Sequence, residues 1–316
     1  MYHGIINVYK ERGFTSHDVV AKLRGICKQK KIGHTGTLDP DAVGVLPVCL
    51  GSTTKLCDML TDKDKEYIAV LRLGIRTDTQ DISGKILEEQ DVCVSTEQAK
   101  KAIFSFLGEY AQVPPMYSAL KVNGKKLYEL AREGKEVERA ARPVVIHELE
   151  ILEENMPEFT IRVRCSKGTY IRTLCHDIGQ KLGCGGVMAA LTRSRSGKFT
   201  LEKAFKLSEI QVYADEGRLE ELVTPVEKMF EHLPAVVAKE EAAKAIQNGN
   251  QLKKKEVILP DSLKLPQSVQ KAEMQAGIEE EKPTVRIYSH ENVFIGVYEY
   301  DGVRRLFCPV KLFFTS

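Results

Sequence analysis

The stretch Gly33–Gly51, GHTGTLDPDAVGVLPVCLG, decides how the rest of the chain is read, because it joins a glycine-rich loop carrying Asp-Pro to an apolar run. Gly33, Gly36 and Gly44 permit backbone angles and close approaches that a side chain forbids. Asp39-Pro40 biases the chain towards a turn with the aspartate at its rim. The apolar run from Val45 to Leu50 reads as a buried strand. A loop of this kind holds one carboxylate still. Beside His34, Thr35 and Thr37, Asp39 could act as a nucleophile or a base, or it could hydrogen-bond its own turn. On this stretch alone the turn reading ranks first.

Upstream, Ile5 to Tyr9 reads as a short strand, followed by a helix with Val19, Val20, Leu23 and Ile26 on one face and Thr15 or Ser16 as its N-cap. Downstream, the order is a short helix over Thr53 to Leu60, a strand over Tyr67 to Leu73, a turn near Asp81 to Gly84 and a return through Leu87. Ser95-Thr96-Glu97-Gln98 has capping-box spacing and opens a helix that ends near Gly108. Strands follow over Pro143 to Leu152 and Phe159 to Cys165, then a helix from about Thr169 to Leu182 and a strand over Val187 to Leu191. Beyond Pro234 a helix over Lys239 to Gln247 and three strand-like runs, starting at Val285, Phe294 and Arg304, make a small β-rich module. Residues 1–235 and 236–316 are thus expected to be separate units, with a polar loop over Gln267 to Lys282.

A length of 316 residues, with 43% hydrophobic and 28% charged side chains, suits a soluble chain of two domains. Neither a secretory leader nor an apolar run of about 20 residues is visible, which leads to a cytoplasmic expectation without membrane contact. The eight cysteines form no C-x-x-C pair, so reduced and mostly buried thiols are expected. The histidines form no ligand cluster, and the glycine-rich segments fit neither a P-loop nor a dinucleotide fingerprint. Although the formal net charge is only +2, residues 113–142 carry seven basic and four acidic side chains around Pro114-Pro115 and the hairpin signal Asn123-Gly124. From Lys167 to Lys206 eight basic residues face only Asp177 and Glu202. Both segments point to an anionic partner.

Four stretches, read together, resemble the TruB family of tRNA pseudouridine-55 synthases. These are GHTGTLDPDAVGVLPVCLG, DKEYIAVLRLGIRTDTQDISG, PPMYSALKVNGKKLYELAREG and CSKGTYIRTLCHDIG, in the family's order, and the likeness runs from about Ile6 to Phe199. One departure is Glu11 in Lys10-Glu11-Arg12-Gly13, where the family usually has proline. The resemblance implies an α+β fold with a central mixed, mainly antiparallel sheet, flanking helices and a PUA-like C-terminal module. It makes Asp39 the catalytic aspartate, Tyr67 the aromatic residue on the target base, Arg172 the carboxylate's partner and Leu191 an apolar wall. His34 would lie beside the displaced base, and Lys10, Lys125 and Lys126 would contact RNA.

The implied reaction moves the ribose bond of uridine from N1 to C5 of the same base, which calls for an ionised carboxylate and for no cofactor or metal. A guanidinium at a few ångströms would lower the pKa of Asp39 by about 1–3 units. The implied partner is the TΨC arm of tRNA, with no obligatory protein partner. Two rivals remain: a guide-RNA-dependent synthase within a ribonucleoprotein, from which residues 113–142 are expected to be absent, and a non-catalytic tRNA-binding or folding protein.

Overall fold

The computed structural model describes residues 1–122, 124–265 and 282–313; Asn123 of the hairpin signal and the polar stretch from Gln267 to Glu281 lie outside them. The longer apolar and alternating runs become seven strands: β1 (Gly4–Lys10), β2 (Val43–Leu50), β3 (Lys65–Leu73), β4 (Gly108–Gln112), β5 (Arg142–Asn155), β6 (Glu158–Cys165) and β7 (Gly186–Ser196). Their order across one sheet is β1-β2-β7-β3-β6-β5-β4. The short strands Ile32–His34 and Phe199–Thr200 join it through β2 and β7, making nine in all.

Every pairing in this sheet is antiparallel except one. β7 runs parallel to β2 where Thr192 faces Val43 and Arg193 faces Gly44. The burial patterns follow from position. β2 is buried at seven of its eight residues, as a strand covered on both faces must be, whereas β3 alternates strictly between buried and half-buried residues. That alternation puts Tyr67, Ala69, Leu71 and Leu73 into the core.

Helices α1 (Ser16–Ile26), α2 (Thr96–Phe104), α3 (Ile171–Leu182) and α4 (Leu207–Asp215) cover the sheet. Thr15 caps α1 in a box with Asp18, and Ser95 caps α2 with Gln98, each satisfying amides that the first turn leaves free. Val19, Val20 and Leu23 of α1 pack on Ile6, Val8, Leu46 and Val48, at about 1.5–3 kcal/mol for each fully buried side chain. α3 buries Ile171, Leu174, Cys175 and Ile178 in the core shared with β3 and β6, and stops at Gly183, whose φ of 73° belongs to the left-handed region.

A second, six-stranded sheet is built from β8 (Ala235–Ala238), β9 (Thr284–Tyr288), β10 (Phe294–Asp301), β11 (Leu306–Leu312) and two two-residue strands. It has its own core of Val236, Ile246, Val285, Ile287, Tyr298 and Phe307. Phe230, Phe294 and Phe313 join it to the first sheet through Ile5, Val45 and Cys49. All eight cysteines are free thiols and only Cys93 is exposed.

Three elements differ from the sequence expectation. α2 ends at Phe104, and Gly108 opens the edge strand β4 instead of closing the helix, which leaves Leu107 52% exposed. β7 continues past Leu191 to Ser196 because β2 and β3 offer partners on both its edges. The basic excursion contains a short helix over Leu127–Arg132 that buries Leu127 and Leu130.

Candidate active site

Asp39 lies in the loop between Ile32–His34 and β2, and the first elements of the chain hold that loop from beneath. The Leu38 amide donates to Ser16 Oγ at 2.9 Å while the Leu38 side chain enters the core beside Tyr67. The Pro40 carbonyl accepts from the Gly13 amide and from Lys10 Nζ, each at 3.0 Å. Glu11, the departure from the family pattern, leaves this docking in place.

Arg172, the second residue of α3, sets its Nη1 3.2 Å from Asp39 Oδ2 and 3.8 Å from Asp81 Oδ2. Its Nη2 donates to the Tyr117 carbonyl, and the Tyr170 ring centroid lies 5.8 Å from the guanidinium carbon. The arginine side chain is 8% exposed against 39% for Asp39, so the cation is the covered partner and one side of the carboxylate is open. Asp81 is aimed by its own turn: Oδ1 accepts from Thr79 Oγ1 at 2.9 Å, Ser83 Oγ at 2.6 Å and the Ser83 amide at 3.0 Å, leaving Oδ2 towards Arg172.

The net shift of Asp39 corrects the sequence expectation. Crowding by protein raises its pKa above the ordinary value; Arg172 pulls it down and the like charge of Asp81 pushes it up again. The arginine is where the resemblance implies, but desolvation outweighs it. The high exposure of the side chain and this strong desolvation are compatible, because one face of the carboxylate is open while dense protein surrounds the others.

Tyr67 is the third residue of β3, 9% exposed, with Val163 of β6 on one side and Arg193 of β7 on the other. Burial pushes its phenol pKa up, against the nearby Arg193 cation. Leu191 is half-buried, opposite Ala69, and packs against the core that contains Leu38 and Tyr67. His34 packs edge-on against His17, with ring centroids 5.3 Å apart. Its Nδ1 accepts from the Gly36 amide at 3.3 Å, and burial lowers its pKa.

Lys10 is a correction. Its side chain is fully buried and its Nζ donates to the carbonyls of Glu11 (3.2 Å), Phe14 (2.6 Å) and Pro40 (3.0 Å), so it fastens the Asp39 loop instead of touching RNA. Burial lowers its pKa to about 8. Lys125 and Lys126 stand away from this cluster on the excursion's hairpin, where Lys125 lies 4.0 Å from Glu133 and Lys126 donates to Tyr128 at 3.2 Å. The excursion is nevertheless rooted in the site. Gln112 clasps the Tyr170 backbone in both directions, and the Tyr117 carbonyl accepts from Arg172.

The basic run from Lys167 to Lys206 is only partly a surface. Arg172 and Arg193 are buried, while Lys167 is paired with Asp62 at 2.9 Å and Arg195 with Glu66 at 3.6 Å. Sequence reading missed Asp81 and Arg193: the first was visible only as a turn residue, and the second was counted among surface charges.

Solved structures with this fold include an H/ACA RNP bound to a substrate RNA containing 2′-deoxyuridine, which aligns with a TM-score of 0.70 and 26% identity over 99% of this chain and 86% of that one. An archaeal box H/ACA sRNP Nop10-Cbf5 complex aligns at 0.69 and 26%, with the same coverage. The fold is therefore that of the pseudouridine synthases. Residues 24–171 match the family described as TruB family pseudouridylate synthase (N terminal domain), and residues 172–231 match the tRNA pseudouridylate synthase B C-terminal domain. A protein named tRNA pseudouridine synthase B from Lachnoclostridium phytofermentans is 51% identical over 98% of this chain and 99% of its own length. One of the same name from Alkaliphilus oremlandii is 48% identical over 79% and 83%. This chain belongs to the TruB family.

Because a lysine can offer its charge to Asp39 but cannot reach Asp81 and the Tyr117 carbonyl with a planar fork, Arg172→Lys should lower the single-turnover rate on tRNA by about 100-fold with tRNA affinity unchanged. Rapid-quench and filter-binding measurements check this, and a variant as fast as the wild type would remove the fork from the mechanism.

Proposed function

We propose that this chain isomerises uridine 55 in the TΨC arm of tRNA to pseudouridine, acting alone in the cytoplasm on a base turned out of the RNA loop. Pseudouridine synthesis is the activity of its family, and relatives named for tRNA span the chain end to end. The observation that carries the finer reading is the 3.2 Å contact between Arg172 and the partly open carboxylate of Asp39. An anion open on one side and paired with a buried cation suits attack on an electron-poor carbon. The N1 to C1′ bond breaks, C5 of the same base bonds to C1′, the C5 proton leaves and N1 gains one, so the reaction is redox-neutral. Tyr67 offers its ring to the base and its hydroxyl for the C5 proton.

Turning the base out costs a few kcal/mol of stacking, and an aromatic platform returns about 1–3 kcal/mol. His34 and Leu191 flank the space that the base would occupy. Lys121, Lys125 and Arg132 are exposed on the excursion over residues 113–142, where they can hold phosphates. We divide the chain into a catalytic unit, 1–235, and a PUA-like RNA-binding unit, 236–316, on the separate cores of the two sheets. The likeness to H/ACA proteins keeps a guide-dependent reading in view, and the higher identity to a protein named tRNA pseudouridine synthase B, 51% against 26%, favours the stand-alone one.

Purified enzyme given tRNA tritiated at uridine C5, without guide RNA or other protein, should release label in proportion to conversion at position 55. Asp39→Asn should bind the same tRNA and release none; substantial release would sink the nucleophile assignment, and no release by the wild type would revive the guide-dependent reading. Replacing Lys125 and Lys126 by alanine should weaken tRNA binding and make its salt dependence shallower by about one to two phosphate contacts. An unchanged slope would take both lysines out of the interface.

A further inference from the structure

A buried cation that the reaction above does not use underlies the catalytic loop. Arg193, on β7, is 1% exposed and ranks with the largest fully buried side chains of the described residues. Its Nε donates to the Val45 carbonyl at 2.7 Å, while Nη2 and Nη1 reach the carbonyls of Gly36 and Thr37 at 3.4 and 3.5 Å. These carbonyls precede and follow Asp39, so one planar fork ties the beginning of the loop to its end.

The backbone joins in. Arg193 faces Gly44 at the one parallel contact of the sheet, and a Cβ on Gly44, whose φ is +107°, would lie 2.3 Å from the Arg193 carbonyl oxygen. Only glycine allows loop and strand to touch there. On its other edge Arg193 stands opposite Tyr67, with its guanidinium beside the phenol. Among the described residues no carboxylate oxygen comes within 4.0 Å of its nitrogens, so the charge is held by backbone dipoles and not by an ion pair. An unpaired buried guanidinium is expensive to keep. Here its rigid fork does what no apolar side chain could, since it binds carbonyls on both sides of Asp39 while its own backbone pairs with the strand bearing Tyr67.

We infer that Arg193 is the positioning residue of this site, fixing where Asp39 stands relative to Tyr67. The role rests on the proposed isomerisation, in which both groups must meet one base. A misplacement of about 1 Å in such a pair costs on the order of 100-fold in rate.

The test uses full-length Arg193→Met and Arg193→Lys with tRNA tritiated at uridine C5, beside the wild type, whose own release of label tests the isomerisation separately. Arg193→Met should release label about 100-fold more slowly in single turnover, at unchanged tRNA affinity and with melting within a few degrees of the wild type. Amide exchange read by mass spectrometry should quicken across residues 35–42 and not in the neighbouring strands, a readout that does not depend on activity. Arg193→Lys keeps the charge but not the fork and should stay well below the wild-type rate. Wild-type turnover in either variant overturns the inference, as does a rate loss that vanishes once corrected for folded protein, or exchange that rises evenly through the sheet. Should Arg193→Met fail to fold, the rate and loop exchange of Arg193→Lys decide by the same criteria.

Discussion

The rest of the structure depends on keeping Asp39 charged in a crowded place. In the proposed reaction an RNA base would cover the carboxylate and strip it of water, and the carboxylate would have to remain ionised there. Burial raises its pKa, and Arg172 at 3.2 Å is the opposing force. Since the two residues are 133 positions apart in sequence, the fold has to bring a loop and a helix N-terminus together. The parallel contact between β2 and β7, the Gln112 clasp on Tyr170 and the Ser16 bond to Leu38 all serve that meeting.

The supports share one physical device. Lys10, Arg172 and Arg193 are buried cations, and each satisfies backbone carbonyls: three for Lys10, one for Arg172 and three for Arg193. Carbonyls cannot leave the chain as a side chain can swing away, so cations bound to them define backbone positions. A buried carbonyl that loses its donor costs about 1–3 kcal/mol, against about 0–1 kcal/mol for a surface ion pair such as Lys167 with Asp62. The loop is thereby tied down by bonds within the chain, an arrangement that would suit catalysis by preorganised charge.

Much of this was legible in the sequence. Strand and helix positions followed from apolar period and caps: Ser95 with Gln98, and Thr15 before α1, are local signals, and local signals survive folding. Asp39, Tyr67 and Arg172 were named through family resemblance, since no local rule distinguishes a catalytic aspartate from a turn aspartate. What escaped was set by non-local burial. Lys10 reads as a surface lysine until three carbonyls close around it, and Arg193 reads as part of a basic run until β2 and β3 bury it from both edges. Asp81 looked like turn chemistry, which it also is: three donors hold one oxygen, and the free oxygen does the further task. The sign of the Asp39 shift was missed for the same reason, because burial cannot be read from a pair of residue types.

The most direct measurement is a carbon-13 titration of the Asp39 carboxyl group in the intact enzyme and in Arg172→Met. A carboxyl that titrates above the ordinary aspartate value of 3.8 in the wild type, and higher still without Arg172, is the result this structure predicts. A wild-type value at or below 3.8, or one that does not move when Arg172 is removed, would contradict the view that the arginine holds a desolvated carboxylate in its charged form.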